Sequence, residues 1–232
     1  SKINLLKELN QKSLSLSQSL LPSALHQSFS NPEKKGWKWW RLGEIAETKM
    51  GGTPRTNIEE YWVKPEIVWV TPEDMNKGII NFIYDSKRKI SKRGLEGSNV
   101  KLLPHNAVLL TTTATIGVVG IAIVSLATNQ QITGIICSHN IFPNFLSYYL
   151  IFLGEENLKK LGGAVTATHI NQKKLRMLPI PLPPLPEQKR IVSYLEKIQE
   201  KSQALISFHT KIETQLNNLF SSILSKAFKG KL

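Results

Sequence analysis

The chain has 232 residues, 41% of them hydrophobic, with 30 Lys and Arg against 17 Asp and Glu for a net charge of +13, and it holds one cysteine. That composition excludes wholesale disorder and gives room for one medium domain plus an extension. The basic excess selects a polyanionic partner, nucleic acid or an anionic surface, while the lone Cys137 can form no internal disulfide and fits a reducing cytoplasm.

Residues 1–29 are Leu-rich and lack glycine. Leu6, Leu9, Leu16 and Leu20 follow a 3-4 spacing with Ser13 in the remaining slot, which predicts an amphipathic helix with a coiled-coil-like seam. Lys7 and Glu8 interrupt the apolar run, so it is not a signal peptide. Pro22 is a candidate kink, and "SNPEKKG" (30–36) reads as a turn-rich linker.

From residue 37 to about 182 the runs "IVWV", "GIINFIY", "VKLL", "AVLLT", "VVGIAIV" and "ITGIIC" read as strands punctuated by glycine, proline and asparagine. Basic clusters stand at 34–41 ("KKGWKWWR"), 86–94 ("SKRKISKRG") and 172–177 ("QKKLRM"). Residues 102–154 carry no Asp, Glu, Lys or Arg. Within them, 107–128 has the length of a membrane span, but its glycines, hydroxyl side chains and β-branched residues predict buried strands instead. Cys137, inside "GIICS", reads as a small buried hydrophobe. "PNFLSYYLIFLGEENLKKLGG" (143–163) predicts one helix that starts at Pro143 and stops at Gly162-Gly163, its aromatic stripe packed in the core.

The prolines of "LPIPLPPLP" (178–186) force an extended entry into a helix running from Glu187 to Phe228, roughly 60 Å long at 1.5 Å per residue. Ile191, Ile198, Leu205, Ile212 and Leu219 recur every seven residues, and Leu195, Ser202, His209, Leu216 and Ile223 form the companion series. These are the two seam positions of a coiled coil, with His209 as a seam or register residue. The two terminal helices also match each other: Leu20 with Leu219, Leu25 with Leu224 and Phe29 with Phe228, all at one offset, as if the chain began and ended in copies of one repeated helix.

No GxxxxGK[ST], HExxH, CxxC or GxSxG occurs, and "LPPL" is not the motif of a DNA amino-methyltransferase. The chain is therefore expected to need no metal or cofactor of its own and to be non-catalytic. Basic and polar loops offer binding instead. Arg55, Lys87, Arg88, Lys89, Lys92 and Arg93 are candidates for phosphate or groove contact. Thr71, Asp74, Thr111, Thr112, Asn129, Gln130 and His169 are candidates for base readout.

The stretches "WWRLGEIAETKMGGTPRTNIEEYW", "IVWVTPEDM", "ISKRGLEGSNVKLLP", "ATIGVVGIA", "ATNQQ" and "LPIPLPPLPEQKRIVSYLEK", closing on "ILSKAFKGKL", resemble in order and spacing the specificity subunit of type I restriction–modification enzymes. The resemblance implies an α+β fold: a mixed α/β target recognition domain with a twisted sheet over 31–184, flanked by helices at 1–30 and 185–232 that form an antiparallel coiled coil. It implies a cytoplasmic protein, not membrane-bound, that recognises half of a split site in double-stranded DNA. Methyltransferase subunits and an endonuclease subunit would dock on it and carry the methyl donor and ATP. One recognition domain is present, so a half-subunit would pair as a homodimer through the helix seam (Ile191, Leu195, Ile198, Leu205, Ile212, Leu216, Leu219 and Ile223). Two departures from the family pattern, Thr113 where Arg is common before "ATIG" and Gln131 where glycine is frequent after "NQ", leave the base contacts open. The alternatives are a standalone DNA nuclease or methyltransferase and a coiled-coil scaffold.

Overall fold

The uncharged stretch becomes the centre of a sheet, because strands covered on both faces carry continuous rather than alternating apolar side chains. The computed structural model describes residues 2–164 and 166–228. It divides into two units: one comprises the chain up to Ser28 together with everything from Ser193 on, and the other runs from Phe29 to Val192.

In the second unit a five-stranded sheet has the order β2 (Ala46–Met50), β10 (Ile132–Cys137), β7 (Val108–Thr111), β8 (Val119–Ala122), β4 (Ile80–Ile83). Neighbours run antiparallel except β8 and β4, which are parallel. A four-stranded sheet has the order β5 (Lys89–Ile90), β3 (Ile67–Val70), β9 (Leu126–Thr128), β6 (Leu102–Leu103), with β3 and β9 parallel. β1 (Lys38–Arg41) and β11 (Pro179–Leu182) form an antiparallel ribbon, where the two prolines of β11 sit on an edge that needs few donors. Every residue of β7 and of β8 is buried. Among the described residues no helix is long and apolar enough to cross a membrane.

Short helices α2 (Leu42–Ile45), α3 (Lys92–Glu96) and α5 (Gln172–Arg176) connect these strands, and α4 (Pro143–Leu161) packs on β4, β7 and β8. Phe29, Phe145 and Tyr149 meet edge to face at 5.4 Å, and Phe152 lies 5.5 Å from Phe29, so the aromatic stripe is core. The single helix expected over 143–163 is in fact two, joined at Gly154 with φ 67° and ψ 173°. Only glycine adopts that backbone without strain.

α6 (Leu185–Phe228) enters through a buried glutamine. Gln188 Nε2 donates to the carbonyls of Asn140 (2.9 Å) and Pro183 (2.8 Å), and its Oε1 accepts the Phe142 amide N–H (2.8 Å).

In the first unit α1 (Lys2–Phe29) runs through Pro22 without interruption and pairs antiparallel with α6. Tyr194 meets Gln27, Ser202 donates to the Ser17 carbonyl (2.7 Å), Asn10 pairs with His209, and Lys7 lies over the Phe220 ring. Asn10 Nδ2 donates to the His209 carbonyl (3.0 Å), so its Oδ1 is left to accept from His209 Nδ1–H (2.8 Å). His209 is thus a register residue in the seam, 199 residues from its partner. Leu20 and Leu219 stand at that same offset, and both are exposed. The matched pair involving Leu224 cannot be followed, since that side chain lies outside the described residues.

The phase of α1 differs from expectation. Its inward line is Asn10, Leu14, Ser17, Leu21 and Leu25, whereas Leu9 is 53% and Leu16 59% exposed, with Leu6 and Leu20 also outward. The α6 seam is buried only in part within one chain. Ile191 and Leu195 are buried and Ile198, Ile212, Leu216 and Ile223 half-buried, but Leu205 (40%) and Leu219 (50%) are exposed. A straight α-helix drifts by about 20° per heptad, which carries the edge series out of the contact while the companion series stays inside. The chain's own α1 packs on part of that seam, at Leu195, Ser202 and His209, and leaves Leu205 and Leu219 open.

Candidate nucleic-acid interface

Five strands of the second unit end on one side. β2 stops at Met50, paired with Thr133 at the start of β10, and Thr111 at the end of β7 faces Ile132. β3 and β9 end alongside each other, Val70 paired with Thr128. The loops that leave these ends gather most of the predicted residues.

The "GGTPR" loop is latched to the turn after β9. Gly51 N–H donates to the Ile132 carbonyl (3.0 Å) and Gly52 N–H to that of Thr128 (2.8 Å). A Cβ on Gly51 would collide with the Thr128 and Asn129 carbonyls, so glycine is required here by close approach. The Thr53 hydroxyl donates to Gln130 Oε1. Two indoles hold the outer side: Trp69 Nε1 donates to the Gly52 carbonyl (3.0 Å) and Trp62 Nε1 to that of Arg55 (3.2 Å). The rings meet at 83° and 5.5 Å, forming a corner. Arg88 lies in it, its guanidinium carbon 4.6 Å from the Trp62 ring centre and 4.9 Å from that of Trp69. Each is a cation–π contact.

Several predicted readers prove to be structural. Thr111 and Thr112 are buried. The Thr111 hydroxyl donates to the Thr115 carbonyl and accepts from Val118 N–H, while that of Thr112 pairs with Thr133 (3.0 Å). Asn129 is buried and closes a turn, Nδ2 donating to Gln131 Oε1 (2.9 Å) and Oδ1 accepting the Gln131 N–H (3.1 Å). Asp74 accepts from the Thr71 amide (2.8 Å) and hydroxyl (3.1 Å) at one oxygen and from Lys87 N–H (3.0 Å) at the other, so Thr71 and Asp74 form a cap that pins the 85–88 loop. Thr71, Asp74, Thr111, Thr112 and Asn129 are thus already satisfied by protein groups.

Exposed groups remain at this side. Arg55, Lys87 and Arg88 have no acidic partner among the described residues. Among the described residues Gln130 keeps its amide nitrogen open, and His169 is exposed, with Nδ1 2.9 Å from the Thr113 hydroxyl. Ala114, beside that pair, takes φ 61°, a left-handed backbone that costs an alanine about 1 kcal/mol. Lys89 is tied to Asp85 (2.9 Å), and that hydrogen bond holds the Asp85 carboxyl below its usual range. Lys92 and Arg93 lie elsewhere. β5 runs antiparallel to β3, with Ile90 opposite Ile67, so α3 sits at the other end of β3. There Lys92 faces Glu96 (4.0 Å) and Arg93 pairs with Glu60. Burial pushes the Cys137 thiol up to about 12, which keeps it in the protonated form at neutral pH. Among the described residues no group of three His, Cys, Asp or Glu could hold a metal ion.

Sequence reasoning missed Trp62, Trp69 and Gln188. The signal for the tryptophans was present, since aromatic residues interleaved with arginines favour stacking on cations. A glutamine at a helix start carries no comparable mark.

A family model described as the type I restriction modification DNA specificity domain matches residues 34–218. The type I restriction enzyme MjaIX specificity subunit of Methanocaldococcus jannaschii is 31% identical over 187 residues, covering 78% of this chain and 43% of the relative. The EcoR124I/EcoR124II specificity subunit of Escherichia coli is 30% identical over 175 residues, covering 72% and 42%. In solved structures, a chain from work on complex assembly and conformational transition of the type I R-M system superposes with a TM-score of 0.82 at 27% identity, over 100% of this chain and 56% of that one. The HsdS subunit from Thermoanaerobacter tengcongensis gives 0.68 at 26%, over 100% and 55%. The chain thus spans about half the length of the relatives it matches.

Proposed function

The chain belongs to the type I restriction–modification DNA specificity family, and from that premise we propose that it selects one half of a split site in double-stranded DNA for methyltransferase and endonuclease partners. The observation that carries this is the convergence of Arg55, Lys87, Arg88, Gln130 and His169 on one side of a rigid sheet, around a loop latched by glycine and tryptophan. Unpaired cations there can neutralise phosphates, and the amide and imidazole can meet base edges. Lys92 and Arg93 have no part in that contact. We take 31–184 as the recognition domain and 1–30 with 185–232 as the conserved helical region. The protein works in the cytoplasm and performs no chemistry itself; methyl transfer and ATP use belong to its partners.

The helix pair offers the docking surface. Leu6, Leu9, Leu16 and Leu20 of α1 and Leu205, Phe208 and Leu219 of α6 are large apolar side chains left uncovered on the helix pair, the kind of surface a partner covers. We assign it to the methyltransferase subunits. A homodimer through the whole α6 seam would need a second α6 to displace α1.

Co-expression with the methyltransferase subunits of its system, followed by genome-wide mapping of methylated sites, tests the function. A split motif methylated only in the presence of this chain is expected. The same methylation pattern without it would contradict the proposal.

A further inference from the structure

The corner made by Trp62 and Trp69 fixes one arginine more completely than phosphate anchoring requires. Arg88 is pinned at its backbone, where its carbonyl accepts from Trp69 N–H (3.2 Å) and from the Ser86 hydroxyl (2.6 Å). The Ser86 hydroxyl in turn accepts from Trp69 N–H (3.1 Å), and Lys87 N–H is held by Asp74. The head of the side chain is fixed by the two rings at 4.6 and 4.9 Å. The rings themselves cannot turn freely, since each indole N–H is bonded to the backbone of the "GGTPR" loop. Both restraints leave the N–H edge of the guanidinium unpaired among the described residues. Its basic neighbours differ: Lys89, Lys92 and Arg93 face carboxylates, and the exposed Lys87 carries an ammonium on a flexible stem that suits a phosphate.

A phosphate needs charge nearby and tolerates a moving ammonium. A planar fork held in one orientation suits two coplanar acceptors at fixed spacing, which in duplex DNA are the O6 and N7 of guanine in the major groove. We propose that Arg88 is a specificity-determining residue that reads a guanine edge, with Trp62 and Trp69 as positioning residues. This rests on the reading of the second unit as the DNA-binding one.

The test selects duplexes from a library randomised across the half-site, using the full chain with its methyltransferase subunits, for wild type, Arg88→Lys and Trp62→Leu. Wild type is expected to enrich a motif with an invariant guanine. Arg88→Lys keeps the charge and loses the fork, so preference at that position falls by between about five-fold and about 150-fold, with the rest of the motif and the salt slope unchanged. Trp62→Leu shows a partial loss at the same position. Replacing that guanine by 7-deazaguanine weakens wild type and leaves Arg88→Lys unaffected, a check that needs no further variant. An unchanged motif in Arg88→Lys overturns the assignment, as does a uniform loss across sequences with a flatter salt slope, which marks a phosphate anchor. A wild-type complex that enriches no motif overturns the DNA-binding reading beneath it.

Discussion

Gln188 is fully buried, and both polar atoms of its amide are used by three backbone groups. Gln188→Leu strands the Phe142 N–H and two carbonyls, so it is expected to cost about 2–4 kcal/mol in urea unfolding. A loss under about 0.5 kcal/mol would show those groups satisfied in another way. Glu155 gives a pH-dependent counterpart. Hydrogen bonds from Lys159 (2.6 Å) and then Lys77 hold its carboxyl down at about 2, below the usual 4.5. A depressed carboxyl contributes stability that is fully present above its unfolded value and disappears as pH falls through the folded one. Unfolding midpoints should therefore drop between pH 4.5 and about 2, and Glu155→Gln should flatten that part of the curve. Charge was legible at this scale, as with Arg55 and Arg88, which have no acidic partner among the described residues. Thr111, Thr112 and Asn129 were not, because a polar side chain looks the same in sequence whether a neighbouring carbonyl or a base will satisfy it. The close approach of Gly51 to the Thr128 carbonyl is likewise a tertiary fact that no local pattern carries.

The helix pair makes the same point for elements. Heptad spacing announced a coiled coil and its approximate length, while the inward face was decided by packing of one helix on the other. Leu195 is fully buried and Leu205 is 40% exposed, though both sit on seam series. Leu195→Ala should lower stability by about 2–4 kcal/mol, and Leu205→Ala by less than about 0.5 kcal/mol. Equal losses would restore the seam as first drawn. Strand prediction followed a similar line. β7 and β10 stood out as apolar runs, but β1, exposed at all four positions, and β11, with two prolines, carry no strand pattern and pair with each other. Gly154 broke the predicted 143–163 helix by adopting a backbone that periodicity cannot express.

For the whole molecule, the net charge of +13 pointed to a polyanion but not to the side that meets it. The fold sorts the charges: carboxylates neutralise Lys89, Lys92 and Arg93, whereas Arg55, Lys87 and Arg88 stand open at the end of the sheets. The most direct measurement is the salt dependence of duplex affinity for Arg55→Glu/Lys87→Glu/Arg88→Glu against Lys92→Glu/Arg93→Glu, both in the full chain with its methyltransferase subunits. Each lost phosphate contact lowers the slope of log affinity against log salt by about 0.9. The triple variant should lose specific binding and flatten that slope by about two, and the double variant should match wild type. Loss in the double variant with binding retained in the triple would place the DNA on α3 and contradict the account.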